Sequence, residues 1–379
     1  MKNNVKRPSM SILLLIIISS LLSVITSGCR QADTRQTPRP TLQERSLSSI
    51  SQAYPWGVSL GPPTVVDPKK FKIELFADLK EFPRNWTFDL TLTKGENGFP
   101  PGLYIPGGPS FAPDQEKRRL LRVDRAGKVS TVSDRFEKGI ESMVFARGKY
   151  GDGILVSELQ SLRIVRVLSD GTISTFAQVG TAPLGPTQMN YGSDGLLYVP
   201  DYTSGNLMRV YPDGKSGVYA TVPVVARGRA DVAGRKGNAE AQPMYQAGGG
   251  FITSTFSTRS RNAEPHKLDT IHIVSIDGRS VKELAAGFSG IEFLNFGPGG
   301  IWGSELYVSA QGTDLNGDGG VYIVKPDGKV EPFITGIDAT DVVFDTEGIL
   351  GGGMFVGDMY NPWGAPDYPS SKIWRVVPR

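Results

Sequence analysis

The sequence predicts an all-β chain, a six-bladed β-propeller of four-stranded antiparallel blades, and three observations predict it. First, one short unit recurs: apolar-x-Arg/Ile-Val, then a polar turn closing on glycine four residues after the valine. The copies are LLRVDRAG (Val123, Gly127), IVRVLSDG (Val167, Gly171), LMRVYPDG (Val210, Gly214), IHIVSIDG (Val274, Gly278) and VYIVKPDG (Val324, Gly328), and KIWRVVPR around Val376 ends the chain before its turn. Second, the valines stand 43 to 64 residues apart, the period of a propeller blade. Third, KFKIELFA at 70–77 has the pattern of an outer strand and lies ahead of the first blade, while the last blade lacks one. Pairing the two closes the ring and removes the edges an open sheet would present.

The chain begins with an address. Lys2, Lys6 and Arg7 precede an apolar segment, Ile12 to Ile25, followed by Thr26, Ser27, Gly28 and the only cysteine, Cys29. This is export-signal anatomy. It resembles the lipobox of bacterial lipoproteins, which implies lipidation of Cys29 and a membrane anchor, since several acyl chains hold where one does not. Arg30 stands where an inner-membrane retention signal would place aspartate, so an outer-membrane location is expected in a Gram-negative cell, facing the periplasm or the cell surface. Residues 1–28 are the expected signal peptide, 29–69 the lipidated cysteine and a flexible tether, and 70–379 the propeller. The tether is rich in Gln, Ser, Thr, Arg and Pro and offers little to bury.

Within each blade the turn joins two alternating apolar runs, and Asp-Gly there is a strong hairpin signal. The runs after it are KVSTVSD, TISTFAQV, GVYATVPV, SVKELAAG and VEPFITG, the outer strands. Upstream lie Gly-flanked runs, GLYIPG, GILVSE, GLLYVPD, GSELYVSA and GGMFVGD, which supply second strands.

Composition excludes several chemistries. The chain has 41 Lys+Arg and 38 Asp+Glu, and residues 1–28 hold three of the bases and no acid, so the remainder is neutral. Nucleic acid is therefore not an expected partner. One cysteine cannot make an internal disulfide or a thiolate zinc site, and His266 and His272 are too few for an all-histidine metal centre.

The face opposite the Asp-Gly turns collects the starts of the inner strands and the longest insertions, where binding is expected. GIESMVF at 139–145 and GIEFLNF at 290–296 open two inner strands almost identically. They belong to blades two and five, opposed in a six-fold ring, so Glu141 and Glu292 are expected to face each other across the channel mouth. The equivalent positions are read as Asn85, Thr187 with Gln188, Gln246, and Thr340 with Asp341. Two carboxylates among neutral oxygens suit Ca²⁺ or another divalent cation; Glu141, Glu292, Thr187 and Gln246 are the expected ligands.

The repeat, the closure and the inner-strand starts resemble the six-bladed regucalcin and gluconolactonase superfamily of calcium-dependent lactonases and phosphotriesterases, with NHL-type propellers close behind. The resemblance covers 70–379. It implies a metal held by a glutamate and by asparagine or aspartate residues at inner-strand starts. Glu141 matches the glutamate position, with Ser142-Met143 in place of Gly-Pro, and Thr187-Gln188 and Thr340-Asp341 stand for the family's Asn-Gly and Asp-Gly. Asp341 or His266 would serve as base.

Other candidates are secondary. DLNGDGG sets Asp314, Asn316 and Asp318 at calcium-loop spacing, but Lys325 occupies position 12, which leaves a truncated structural calcium loop or a plain polar connection. Tyr202, Asp358, Tyr360 and Trp363 are expected at the substrate rim, where aromatic rings beside polar groups suit a sugar or peptide. Two functions lead, a metal-dependent hydrolase of a lactone or ester and a non-catalytic module binding an envelope protein or glycan; a third, a quinone-dependent sugar dehydrogenase, is disfavoured by the shortage of histidines for a channel base.

Overall fold

The computed structural model describes residues 63–82, 87–107, 118–221, 233–234, 238–257, 269–312, 319–359 and 371–379. Each repeat forms a four-stranded antiparallel sheet whose strands follow chain order from the channel outward. Blade one comprises Thr91–Thr93, Gly102–Gly107, Arg119–Val123 and Val129–Ser133, and blade two Ile140–Phe145, Ile154–Glu158, Arg163–Val167 and Ile173–Gln178. Blade three comprises Asn190–Tyr191, Leu197–Pro200, Asn206–Val210 and Ser216–Thr221, and blade four Asn238–Glu240, Gly250–Ser254, Asp269–Ser275 and Val281–Phe288. Blade five runs through Ile291–Phe296, Leu306–Ala310, Gly320–Val324 and Val330–Thr335. Blade six has Ala339–Asp345, Gly353–Asp358 and Lys372–Pro378, and its outer strand is the N-terminal Phe71–Asp78, paired from Phe71↔Pro378 to Asp78↔Lys372. The expected closure is therefore present.

Two features go beyond the sequence reading. Thr64–Val65 adds a fifth strand to the outer edge of blade five, opposite Thr335 and Ile334, so ordered pairing begins inside the stretch read as tether. A short ladder pairs Ala233–Gly234 with Phe256–Ser257 beside blade four.

The repeat can now be read as packing. Among the described residues six large buried clusters of apolar side chains lie one at each joint between neighbouring blades, and Phe88 and Met359 form a small seventh. The joint across the closure joins Ala77, Leu79, Phe355 and Ile373 of blade six to Leu103, Ile105, Leu121 and Val123 of blade one. The turn glycines serve the same joints. Gly127, Gly214, Gly278 and Gly328 all have positive φ, and a side chain on each would drive into a carbonyl of the preceding blade's outer strand: Phe76, Phe176, Tyr219 and Leu284 respectively. Gly127 against Phe76 is the closure, built like the other joints. In blades one, two and six the repeated arginine is a turn clamp, while Arg209 of blade three donates to the Tyr211 hydroxyl (3.1 Å). Arg122 donates to the Pro101 carbonyl, Arg166 to Tyr150 (2.7 Å) and Asp152, and Arg375 to Gly352 (2.8 Å) and Gly351. Each holds the turn between inner and second strands by charge-assisted bonds.

Tyrosines lock blades pairwise. Tyr150, on the turn of blade two, accepts from the Leu197 amide (2.9 Å) and donates to the Val210 carbonyl (2.6 Å) of blade three. Tyr245 in blade four makes the same bridge to Leu306 and Val324 of blade five.

Candidate functional site

The inner strands of blades two, five and six open with the same β-bulge. Ile140 pairs with Glu158 and Met143 with Val156; Ile291 pairs with Ala310 and Leu294 with Val308; Ala339 pairs with Asp358 and Val342 with Val356. Two residues thus face one, which bends the strand and re-aims the side chains. Opposite the extra residues stand Ser157, Ser309 and Gly357. Ser157 Oγ accepts from the Ser142 amide (2.9 Å) and Ser309 Oγ from the Phe293 amide (3.1 Å), satisfying donors the bulge removes from the ladder. Ser309 also donates to the Thr340 carbonyl (2.7 Å), tying blade five to blade six. In blade six Gly357 leaves room for the Thr340 hydroxyl instead.

Glu141, Glu292 and Thr340 occupy the first bulge position, and Thr187 takes the same register in blade three, where Pro186 bridges Asp201. Glu141 and Glu292 are 1% and 0% exposed. Three of the four expected ligands therefore share one register position. Gln246 does not. It lies in the turn between the inner and second strands of blade four, on the face of the Asp-Gly turns, with Nε2 donating to the Gly249 and Val274 carbonyls. The inner strand of that blade is Asn238–Glu240, well upstream. The reason is backbone: Gly248, Gly249 and Gly250 all have positive φ, which breaks any inner strand that would start at Gln246.

The second bulge position carries a hydrogen-bonded ring. Its residues are Asp89, Ser142, Gln188, Phe293 and Asp341, all buried. The ladder Thr91↔Tyr104 sets Asp89 in register with Asp341, and Asn85, the position expected there, lies outside the described residues. Asp89 Oδ2 accepts from Ser142 Oγ (2.7 Å) and the Met143 amide (2.8 Å), and Ser142 Oγ accepts from the Met189 amide (3.0 Å). Asp341 Oδ2 accepts from the Leu90 amide (2.8 Å), and Oδ1 from the Val342 amide (2.6 Å) and Asn295 Nδ2 (2.9 Å). Gln188 spans to the amide and carbonyl of Leu294 (3.4 Å each). These bonds join the inner strands of blades one, two, three, five and six.

Asp89 and Asp341 lie close enough for each carboxyl to act on the other, so the pair favours a state that keeps one proton between them. Burial pushes both above the ordinary carboxylate range, and Asp341 well above it because the charge of Asp89 adds to burial. Asp341, expected as a base, is thus a fully engaged member of a buried acid pair. Asp89 was not among the expected residues. Its signal is an aspartate followed by an aliphatic residue, Asp89-Leu90 against Asp341-Val342, visible once the strands are in register.

The expected rim residues Tyr202 and Asp358 are buried at second-strand ends. Tyr202 packs at 5.8 Å from the Phe256 ring, and its amide donates to Gly185 O (2.8 Å). Asp358 Oδ2 accepts from the Trp374 indole (2.8 Å). Cys29, His266, Asp314, Asn316, Asp318, Tyr360 and Trp363 lie outside the described residues.

Among the described residues no three of His, Cys, Asp and Glu gather at metal-binding range. The shared register position still offers an all-oxygen donor set of Glu141, Glu292 and the Thr187 hydroxyl, which fits a hard divalent cation held by few charges.

No protein-family model matches the chain, and no curated protein matches it in sequence. Solved structures do. A gluconolactonase from Xanthomonas campestris superimposes with a TM-score of 0.55 at 14% identity, covering 85% of this chain and 97% of that one. A putative gluconolactonase gives 0.52 at 14% identity over 84% and 98%. An auxiliary nutrient binding protein from Bacteroides thetaiotaomicron gives 0.51 at 12% identity over 82% and 76%. The chain is a six-bladed propeller with gluconolactonase structures among its neighbours.

Proposed function

We propose that the protein is a divalent-cation-dependent hydrolase of lactone- or ester-class small molecules, anchored in the cell envelope by a lipid on Cys29. The observation that carries this reading is the duplicated bulge, which sets two buried glutamates, Glu141 and Glu292, at one register position in blades two and five. Buried carboxylates are kept ionised by a cation, and Thr187 adds a neutral oxygen. The likeness of fold to gluconolactonase structures supports the substrate class. When bound, the cation would polarise a carbonyl oxygen. The chain's own part is to hold it with Glu141 and Glu292. Below them the Asp89–Ser142–Asp341 ring ties the inner strands together and fixes the bulges in place.

The test uses the mature protein against glucono-1,5-lactone and p-nitrophenyl acetate, with and without chelator. Hydrolysis should require the cation, and Glu141→Gln should lower it as chelator does. Hydrolysis that persists in chelator would overturn the cation role. The rival, a binding module for an envelope protein or glycan, is favoured by one fact: every oxygen of Asp341 is engaged within the ring. A hydrolase therefore needs its base elsewhere.

A further inference from the structure

We propose that Asp358 is that base, the proton carrier of the site; the assignment rests on the hydrolase reading above. Three blades end their second strands with an acid: Glu158 in blade two, Asp201 in blade three and Asp358 in blade six. They are equivalent in register, since Glu158 pairs with Ile140, Asp201 bridges Pro186 and Asp358 pairs with Ala339, each just before its inner-strand bulge position. Their surroundings differ. Glu158 Oε1 accepts the amides of Glu137 (2.9 Å) and Lys138 (3.0 Å), and Oε2 accepts Ser161 Oγ (2.7 Å) and the Arg163 guanidinium. Asp201 accepts the Thr203 amide (3.3 Å) and the Ser204 hydroxyl. Both are structural acids with their oxygens engaged.

Asp358 is not. It is 3% exposed, its Oδ2 is fixed by the Trp374 indole, and its Oδ1 is buried with no hydrogen bond. An unsatisfied buried carboxylate oxygen works against stability, so its retention calls for a function. A carboxylate oriented by one donor, with the other oxygen buried and unbonded, is poised to take a proton from a water that reaches it.

Its titration agrees. Burial raises the carboxyl to about 6, against the lowering effects of the Trp374 bond and of Lys372. Lys372 lies directly opposite on the third strand, and from the segment entering blade six the Asp338 amide acts in the same direction without a bond of ordinary geometry. A base near this value is ionised at neutral pH and still strong enough to take a proton.

In the reaction, a water gives one proton to Asp358 Oδ1 as its oxygen bonds to the carbonyl carbon. On collapse the carbon–alkoxide bond breaks and the proton passes to the leaving oxygen, so the carboxylate is restored and ester plus water becomes acid plus alcohol. The experiment is the pH profile of kcat/KM on glucono-1,5-lactone and p-nitrophenyl acetate with cation present. Wild type should lose activity as pH falls through about 6. Asp358→Asn should lower kcat about a hundredfold or more and still bind calcium in calorimetric titration. Trp374→Phe removes the bond that holds the pKa down, so its acid limb should move to higher pH; it decides the matter if the Asn variant fails to fold. Wild-type kcat and an unmoved acid limb in both variants overturn the role of Asp358 and leave the hydrolase reading intact. If wild type hydrolyses neither probe, the hydrolase reading falls and Asp358 with it.

Discussion

Replacing Asp89 by asparagine tests the shared proton at the centre of the ring. In the native protein the Asp89–Asp341 pair keeps a proton that the unfolded chain, with ordinary carboxyls near about 3.9, has released. Native protein thus binds one proton more than unfolded protein at pH values between the unfolded and the raised native pKa. Stability is greatest below the unfolded value and falls as pH rises through that window, by about 1.4 kcal/mol per pH unit for one proton. In Asp89→Asn the new amide oxygen can still accept from Ser142 and Met143, and the new amide nitrogen can donate to Asp341. The Asp341 carboxylate then has donors in Leu90, Val342, Asn295 and the introduced amide and no like charge beside it, so burial alone holds it up and it gives up its proton at lower pH than in the native pair. The variant should show a shallower slope. Urea unfolding at pH 5, 6 and 7 measures it directly, and other titrating groups cancel in the comparison with wild type. Parallel slopes in the two proteins would refute the shared proton.

Other expectations follow from the joints and the anchor. Gly127→Ala and Gly171→Ala share a positive φ and its strain of about 1 kcal/mol, but only Gly127 abuts a carbonyl closely, that of Phe76 across the ring closure; thermal melts should show Gly127→Ala as clearly the less stable. Tyr150→Phe leaves the Leu197 amide and Val210 carbonyl without their bridge, at about 2 kcal/mol, and denaturant unfolding should show the loss; equal stability would mean that water replaces the hydroxyl. Cys29→Ser should abolish incorporation of labelled palmitate and release the protein from membranes, whereas continued membrane retention would remove the anchor.

The repeat made the blades legible because its valine, turn glycine and arginine each have a local job that recurs. Period-two patterning likewise exposed Phe71–Asp78 as the closing strand. Thr64–Val65 escaped because two residues carry no period, and pairing with Thr335 and Ile334 is a tertiary fact. Blade four misled for a different reason. Its inner strand has three residues, and the apolar run after Gln246, which reads as an inner strand, is the second strand of its sheet. The bulge glutamates were legible as a matched pair of motifs. The Asp89–Asp341 pair was not, because it joins the first and last blades, far apart in sequence, and exists only once the ring has closed. Asp358 was visible as an acid beside aromatic residues, but its unbonded oxygen depends on what Trp374 and Lys372 do around it.

The most direct test of the cation site is calorimetric titration of calcium into the mature protein beside Glu141→Gln and Glu292→Gln. One binding event is expected in wild type, in the weak range on the order of 10⁻⁴ to 10⁻³ M set by so few charged donors, and none in either variant. Binding of equal strength in all three proteins, or no binding in wild type, would contradict the placement of a cation between blades two and five.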